Sequence, residues 1–121
     1  NEEQPDFFNQ VIQIKVESTP LELLKIIKSI EIKLGRVKGL IRYQPRIIDI
    51  DLLAMHELIY NSEKLIIPHS LIAERKFVLL PWSNIAPDFI VPLHDKSVIK
   101  LLSETNDQSE LTLIKNKEMS F

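Results

Sequence analysis

The feature that most constrains the fold of this chain is a short apolar run interrupted by two carboxylates. Residues 47–53 read IIDIDLL, and the run is rich in isoleucine, as is typical of an internal strand. Side chains two residues apart in a strand project from the same face, so Asp49 and Asp51 are predicted to converge on one small volume. Burying two anions beside isoleucine is unfavourable unless a cation neutralises them. The pattern predicts a divalent metal site, with an exposed edge strand that carries two aspartates as the alternative.

A cluster of positive charge lies immediately before the carboxylate pair. Between Ile32 and Ile48 there are five basic residues and no acidic one: Lys33, Arg36, Lys38, Arg42 and Arg46. Because the whole chain is mildly acidic, with 15 basic and 17 acidic side chains, this segment favours a small anionic ligand over a long polyanion. Its side chains can follow a triphosphate while the aspartates hold Mg²⁺, which prefers oxygen ligands. A solvated basic loop is the alternative.

The composition excludes several classes of protein. With 121 residues, 45% of them hydrophobic and 26% charged, the chain has the length and balance of one globular domain. It has no cysteine, which excludes disulfides and cysteine nucleophiles and favours a reducing cytoplasm. No apolar run approaches the roughly 20 residues of a membrane span. We therefore expect a soluble cytoplasmic protein that binds neither membranes nor, given its net charge of −2, nucleic acid.

Alternating and aperiodic segments predict the first strand and a loop. Alternation over residues 8–16 predicts a strand with one buried face, formed by Phe8, Ile12, Ile14 and Val16. Residues 36–46 contain a glycine, a proline and many basic side chains without a usable period. We expect them to form a long, mobile loop.

A helix is predicted over residues 20–34. Thr19 is a suitable N-cap, Pro20 suits the first turn, and Glu22 completes a capping box. Gly35 supplies a left-handed terminator. The apolar stripe of this helix comprises Leu23, Ile27, Ile30 and Leu34.

The second half of the chain predicts a hairpin and further helices. A turn at residues 60–63 separates two short apolar runs, residues 58–59 and 65–67, which favours a hairpin or a meander. A helical region is expected from about residue 70 to residue 83, capped by Ser70 and ended or kinked by Pro81. Ser97 should cap a short helix over residues 98–102, and residues 111–114 should form a last strand. This order fits an α+β sandwich with helices on one face of a mainly antiparallel sheet.

Aromatic and basic residues outside these elements offer weaker signals. Phe7 and Phe77 can sandwich a planar ligand, although aromatic residues beside apolar runs are more often part of the core. His69 and Arg75 flank a predicted helix start, where an anion is favoured. Trp82 is predicted to serve packing alone.

Five stretches together resemble one known family. They are QPDFFN at residues 4–9, EIKLGR at 31–36, RYQPRIIDIDLL at 42–53, IPH at 67–69 and RKFVLLP at 75–81. In order and spacing they resemble the 6-hydroxymethyl-7,8-dihydropterin pyrophosphokinases, over about residues 4–102. The resemblance implies a ferredoxin-like α+β fold and, in folate biosynthesis, the transfer of pyrophosphate from ATP to a reduced pterin, which releases AMP.

The resemblance also implies roles for individual residues. Asp49 and Asp51 are similar to the ligands of two Mg²⁺ ions, and Arg36 and Arg46 are similar to catalytic loop arginines that act on the phosphates. The implied nucleotide contacts are Glu31, Lys38, Arg42, Leu52, His69 and Arg75. The implied pterin contacts are Phe7, Asn9, Tyr43 and Phe77.

The resemblance further implies that residues 1–121 are a single pyrophosphokinase domain that is incomplete at its N-terminus. The family's first strand, first helix and second strand have no counterpart in this sequence. Exposed strand edges would then favour a strand-exchanged oligomer. The alternative function is a non-catalytic α+β module that binds a small molecule or a protein.

Overall fold

The computed structural model describes residues 9–35 and 49–111, which contain three α-helices, a 3₁₀ turn and two two-stranded sheets. The α+β class expected from the sequence is confirmed. The chain divides into two compact units, described separately below: the first unit comprises residues 13–70 and 91–95, and the second unit residues 1–12, 71–90 and 96–121. In the described ranges, no helix combines the length and apolar character needed to cross a bilayer.

Helix α1 (Pro20–Lys33), in the first unit, begins as its local sequence predicts. Thr19 Oγ1 accepts a hydrogen bond from the Glu22 amide at 3.2 Å, and Glu22 Oε1 accepts one from the Thr19 amide at 2.9 Å. The capping box is thereby confirmed. Gly35, with a φ of 124°, follows the C-cap Leu34, so the predicted terminator is confirmed as well.

The buried side of α1 is narrower than predicted and ends in an acid. Leu23, Ile27 and Glu31 are 4%, 8% and 3% exposed. Ile30 and Leu34, which were predicted to belong to the apolar stripe, are 39% and 50% exposed. Because residues four apart lie along one side of a helix, the row that begins with Leu23 reaches Glu31 in its third position. A carboxylate therefore occupies the buried end of this row.

The two strands predicted at residues 8–16 and 47–53 do not form within the described parts of these segments. Residues 9–16 belong to no strand, and Ile12, Ile14 and Val16, predicted to be buried, are 69%, 60% and 38% exposed. Residues 49–53 also lie outside any sheet. Alternation identifies a face, but a strand additionally needs a ladder of hydrogen bonds to a neighbour, which the described residues do not provide for either segment. Residues 8, 47 and 48 lie outside the described residues.

The predicted hairpin of the first unit forms. Strand β1 (Tyr60–Asn61) pairs antiparallel with strand β2 (Ile66–Ile67). Its turn lies about two residues later than predicted, because the Ser62 amide donates to the Leu65 carbonyl at 2.9 Å and Ser62 Oγ accepts from the Leu65 amide at 3.2 Å. Ser62 therefore closes the turn with both its backbone and its hydroxyl group.

Helix α2 in the second unit differs from its prediction at both ends. A 3₁₀ turn (Ile72–Glu74) precedes α2 (Lys76–Ile85), and Pro81 lies inside α2 without ending it. The predicted cap by Ser70 is wrong, because neither of these elements begins at that residue. Instead, the amide of Lys76 donates to Asp107 Oδ2 at 2.9 Å. A carboxylate that is distant in sequence thus accepts from an amide of the first helical turn, which has no partner inside the helix.

The remaining elements follow α2. They are β3 (Ile90–Val91), β4 (Lys96–Ser97), which forms a two-stranded sheet with β3, and α3 (Val98–Glu104). Ser97 Oγ accepts from the Lys100 amide at 3.2 Å, so its predicted role as the cap of α3 is confirmed. Helix α3 packs on α2. Trp82 is 6% exposed with its ring centroid 5.7 Å from that of Phe89, which confirms its packing role.

Candidate functional site

A cavity of about 280 Å³ lies in the first unit. Three stretches of chain and the residues after the hairpin form its walls. They contribute Leu24, Ile27 and Lys28 of α1, then Ile50, Asp51 and Leu52, then Glu63, Lys64, Leu65 and Ile66, and finally His69 and Ser70. Two carboxylates, an imidazole and two ammonium groups therefore share a cavity with several aliphatic side chains.

Three residues predicted to belong to the site meet in this cavity. Asp51, Leu52 and His69 all line it, although up to 18 positions separate them in sequence. The His69 amide donates to the Leu53 carbonyl at 2.9 Å, so the backbone of the proline–histidine motif is tied to the backbone of the aspartate segment. This hydrogen bond brings the two motifs together.

Two lysines of the cavity were missed by the sequence analysis. Lys28 lies on α1 outside the basic segment, and Lys64 lies in the hairpin turn, so neither belongs to a pattern. Leu24, which also lines the cavity, precedes Lys28 by one helical turn, so the two side chains lie on the same side of α1. Their ammonium groups place positive charge in a cavity that Asp51 and Glu63 also line.

The two aspartates are exposed, which corrects the burial expected for them. Asp49 and Asp51 are exposed, and Ile50 between them is partly buried. The prediction that both carboxylates project to one side rests on strand geometry, which the described residues 49–53 do not adopt. Because water reaches both carboxylates, their charges do not need a neutralising cation to offset a cost of burial. The case for a metal therefore rests on the donor atoms.

The donor atoms of the aspartate pair fit Mg²⁺. The pair offers two carboxylates. Among residues 9–35 and 49–111 no larger group, of three or more His, Asp or Glu side chains, could hold a metal ion. Mg²⁺ is commonly bound through one or two carboxylates and completes its octahedron with water and substrate phosphates. Asp51 lies on the cavity wall, where a phosphate could supply such oxygens.

Glu31 lies against the backbone of the aspartate segment. Its Oε2 accepts a hydrogen bond from the Ile50 amide at 2.8 Å. Its Oε1 is 3.9 Å from Lys28 Nζ, a long ion pair with a lysine whose side chain is 57% exposed. Such a pair contributes little by itself. The hydrogen bond to the Ile50 amide is therefore a more specific contact of this carboxylate than the ion pair with Lys28.

A second group of predicted site residues lies in the second unit. Arg75 precedes α2 and its guanidinium carbon lies 5.6 Å from the centroid of the Phe77 ring, which is a cation–π contact. Asn9 is exposed. The structure thus brings together Arg75 and Phe77, which were predicted to contact ATP and the pterin.

Other predicted site residues lie outside the described residues. They are Phe7, Arg36, Lys38, Arg42, Tyr43 and Arg46. The predicted loop over residues 36–46 and most of the predicted last strand lie outside them as well, while Leu111 belongs to no strand.

Comparison with a family model identifies the class of protein to which this fold and cavity belong. The model for 7,8-dihydro-6-hydroxymethylpterin-pyrophosphokinase matches residues 1–87. This match includes the aspartate pair, the proline–histidine motif and all residues that line the cavity. The chain belongs to this family, and the resemblance noted in its sequence is confirmed.

Three named proteins illustrate how the chain relates to its relatives. It is 48% identical over 90 residues to the folic acid synthesis protein FOL1 of Dictyostelium discoideum, an alignment that covers 74% of this chain and 14% of that protein. It is 44% identical over 89 residues to the 2-amino-4-hydroxy-6-hydroxymethyldihydropteridine pyrophosphokinase of Methylorubrum extorquens, with 74% and 56% covered. The enzyme of the same name from Synechocystis is 36% identical over 103 residues, with 85% and 52% covered. The chain spans about half the length of these two bacterial relatives.

Proposed function

We propose that this chain acts in a pyrophosphokinase that transfers the terminal diphosphate of ATP to the hydroxymethyl oxygen of 6-hydroxymethyl-7,8-dihydropterin in folate biosynthesis. Family membership and the names of the relatives support this activity. The observation that carries it is the meeting of Asp51, Leu52 and His69 in one cavity, because their motifs are distant in sequence. A ferredoxin-like arrangement of the family's complete domain belongs to the same proposal.

The cavity suits part of a nucleotide. Its volume of about 280 Å³ is slightly below the range of roughly 300–1,000 Å³ usual for small-molecule sites. The side chains of Leu24, Ile27 and Leu65 offer an apolar surface for a base, and Lys28 and Lys64 offer charge for phosphates. We assign further ATP contacts to Lys38, Arg42, Leu52, His69 and Arg75.

The aspartate pair holds the metal in this proposal. Asp49 and Asp51 would hold two Mg²⁺ ions, which would neutralise charge on the phosphates. Arg36 and Arg46 supply further countercharge to the phosphates. Phe7, Asn9, Tyr43 and Phe77 bind the pterin, with Asn9 hydrogen-bonded to its edge and the two phenylalanines stacked on its faces.

The reaction needs no nucleophile from the protein. The hydroxymethyl oxygen of the pterin attacks the β-phosphorus of ATP in line and forms a new P–O bond. The bond from the β-phosphorus to the bridging oxygen of the α-phosphate breaks, AMP departs with that oxygen, and the hydroxyl proton passes to solvent. The chain contributes position and countercharge.

The direct test measures AMP release by the chain. With ATP, Mg²⁺ and 6-hydroxymethyl-7,8-dihydropterin, we expect AMP and the pterin diphosphate in equal amounts by liquid chromatography, and no AMP when the pterin is omitted. Asp51→Asn removes a metal ligand and should lower the rate by about 100-fold or more. Asp88→Asn, at an exposed turn position outside the cavity, is the matched control and should retain the wild-type rate. Equal rates for the two variants would reject the role of Asp51.

A further inference from the structure

Glu31 occupies a position where an apolar side chain would be expected. Among residues 9–35 and 49–111 it is the only charged side chain that is buried. It continues the row formed by Leu23 and Ile27, which packs the buried side of α1. Burying a carboxylate is unfavourable unless hydrogen bonds replace its hydration, whereas leucine would pack there without this penalty. The role of Glu31 should therefore follow from what its oxygens contact.

Its hydrogen bond holds the peptide group between the two aspartates. The Ile50 amide, which donates to Glu31 Oε2 at 2.8 Å, belongs to the peptide bond that joins Asp49 to Ile50. A hydrogen bond to an ionised acceptor is stronger than one between neutral groups. Fixing this peptide group restrains the backbone on both sides of it, and so restrains the directions of the Asp49 and Asp51 side chains.

The aspartate segment depends on such contacts because it belongs to no sheet in the described structure. Residues 49–53 are tied near one end by Glu31 and at the other end by the His69 amide, which donates to the Leu53 carbonyl. The contact with Glu31 comes from helix α1, so it connects the aspartates to a regular element. Rigid elements position a site more accurately than an unsupported segment does.

Glu31 adjoins the cavity residues without lining the cavity itself. Ile50 and Asp51 belong to the cavity wall, whereas Glu31 does not. Its 3% exposure leaves almost no surface for a ligand to contact. These two observations favour an effect through the backbone over direct contact with a nucleotide.

We propose that Glu31 is a positioning residue, which holds the Ile50 amide and thereby orients Asp49 and Asp51 for binding of the metal–nucleotide complex. The inference rests on the proposed function and replaces a direct nucleotide contact by Glu31 with an indirect one. Groups that orient metal ligands typically contribute a factor of about 10–100 to metal affinity.

The first test separates metal-dependent from metal-independent binding. Calorimetry measures the ATP affinity of the full chain with Mg²⁺ and, separately, with EDTA, for wild type, Glu31→Ala and Glu31→Gln. For Glu31→Ala we expect affinity with Mg²⁺ to fall by about tenfold and affinity in EDTA to change by less than about twofold. Glu31→Gln keeps the volume and an oxygen acceptor, so its loss should be smaller. Glu57→Gln, an exposed residue outside the cavity, is the matched control and should behave as wild type.

The second test requires neither ATP nor activity. Amide hydrogen exchange followed by NMR should show a protected Ile50 amide in the wild type. In Glu31→Ala the protection of the Ile50 amide should fall, whereas the Ile27 amide, inside α1, should remain protected. Fast exchange of Ile50 in the wild type would overturn the proposal, and this measurement remains decisive if Glu31→Ala does not fold.

The possible failures are distinguishable. Equal losses of ATP affinity with Mg²⁺ and with EDTA would assign Glu31 to direct nucleotide contact, and unchanged affinity in both variants would leave it a packing role alone. Either result overturns the positioning role while the pyrophosphokinase assignment stands. Normal Mg²⁺-dependent binding without AMP release by the wild type would overturn only the proposed function.

Discussion

Lys64 shows how a single side chain acquires a place in the site. In the sequence it directly follows the turn predicted at residues 60–63, with no spacing that distinguishes it. In the structure its amide donates to Ser62 Oγ at 3.3 Å, and its side chain lines the cavity beside Asp51 and His69. An ammonium group acts as a point charge on a flexible stem, so its value to a phosphate depends on where the backbone places it.

Replacing Lys64 tests whether the cavity binds a nucleotide. Lys64→Gln should weaken ATP binding by about two- to fivefold, the usual contribution of one exposed ion pair, and the difference from wild type should shrink at high salt. Lys25→Gln removes the same charge from an exposed position of α1 that does not line the cavity, and it should leave the ATP affinity unchanged. Calorimetric titrations at two salt concentrations provide the measurement. Equal effects of the two variants would indicate that general charge, and not the cavity, determines binding.

Helix α2 depends on a capping group that comes from outside its own sequence. Asp107 accepts from the Lys76 amide through Oδ2 and from the Ser109 amide through Oδ1. Hydrogen bonds from the Ser109 hydroxyl, and then from the Ser109 and Lys76 amides, hold the pKa of Asp107 below its usual range. The folded chain thus favours the ionised carboxylate, which also suits the positive end of the helix dipole.

This pKa shift predicts a specific pH dependence of stability. Because the folded chain lowers the pKa of Asp107, the carboxylate contributes stability above its unfolded pKa, and the contribution is lost as pH falls through the folded pKa. Asp107→Asn should therefore reduce the free energy of unfolding at neutral pH. This difference from wild type should shrink below roughly pH 4. Urea unfolding followed by circular dichroism at pH 7 and pH 3 is the measurement.

The control for this experiment is another exposed aspartate. Asp88→Asn lies in the turn after α2 and removes a carboxylate without touching the cap. Its unfolding free energy should follow the wild-type value at both pH values. A pH-independent difference between Asp107→Asn and wild type would contradict the assignment of the cap to the charged carboxylate.

The exposed apolar segment at residues 12–16 affects the behaviour of the whole chain. Ile12 and Ile14 are 69% and 60% exposed, and no described strand pairs with this segment. Apolar side chains beside unpaired backbone groups form a template for a strand from another chain. The strand-exchanged oligomer expected from the sequence thus stays a prediction, with a defined segment to test.

Self-association through this segment should depend on whether the substituted residue belongs to the apolar row or to the polar positions between its members. Ile14→Lys places a charge in the exposed apolar row and should shift the chain towards monomer in sedimentation velocity over a range of concentrations. Gln13→Lys adds the same charge at the neighbouring polar position, and it should have a smaller effect. A wild-type chain that stays monomeric at every concentration would refute the prediction.

The elements that could be predicted from sequence are those whose determinants lie within a few residues. The capping box of α1, the glycine after its end and the serine cap of α3 formed as expected, and the hairpin formed with its turn about two residues later than predicted. The hydrogen bonds of the two caps join residues three positions apart, and the paired residues of the hairpin are at most seven apart, so local chemistry suffices to specify them. The family motifs belong to the same category, since each is a short stretch of sequence.

Tertiary structure alone decided which of these pieces meet. Glu31 and the Ile50 amide are 19 positions apart, and Asp107 and the Lys76 amide are 31 apart, so no local pattern specifies either hydrogen bond. In the described parts of the segments predicted as strands, residues 9–16 and 49–53, no strand forms for the same reason, because a periodic pattern specifies a face while a ladder requires a neighbour from elsewhere in the chain. The sequence by itself thus determined the local elements and the family, whereas the burial of Glu31 and the cavity shared by Asp51 and His69 follow from contacts between distant segments.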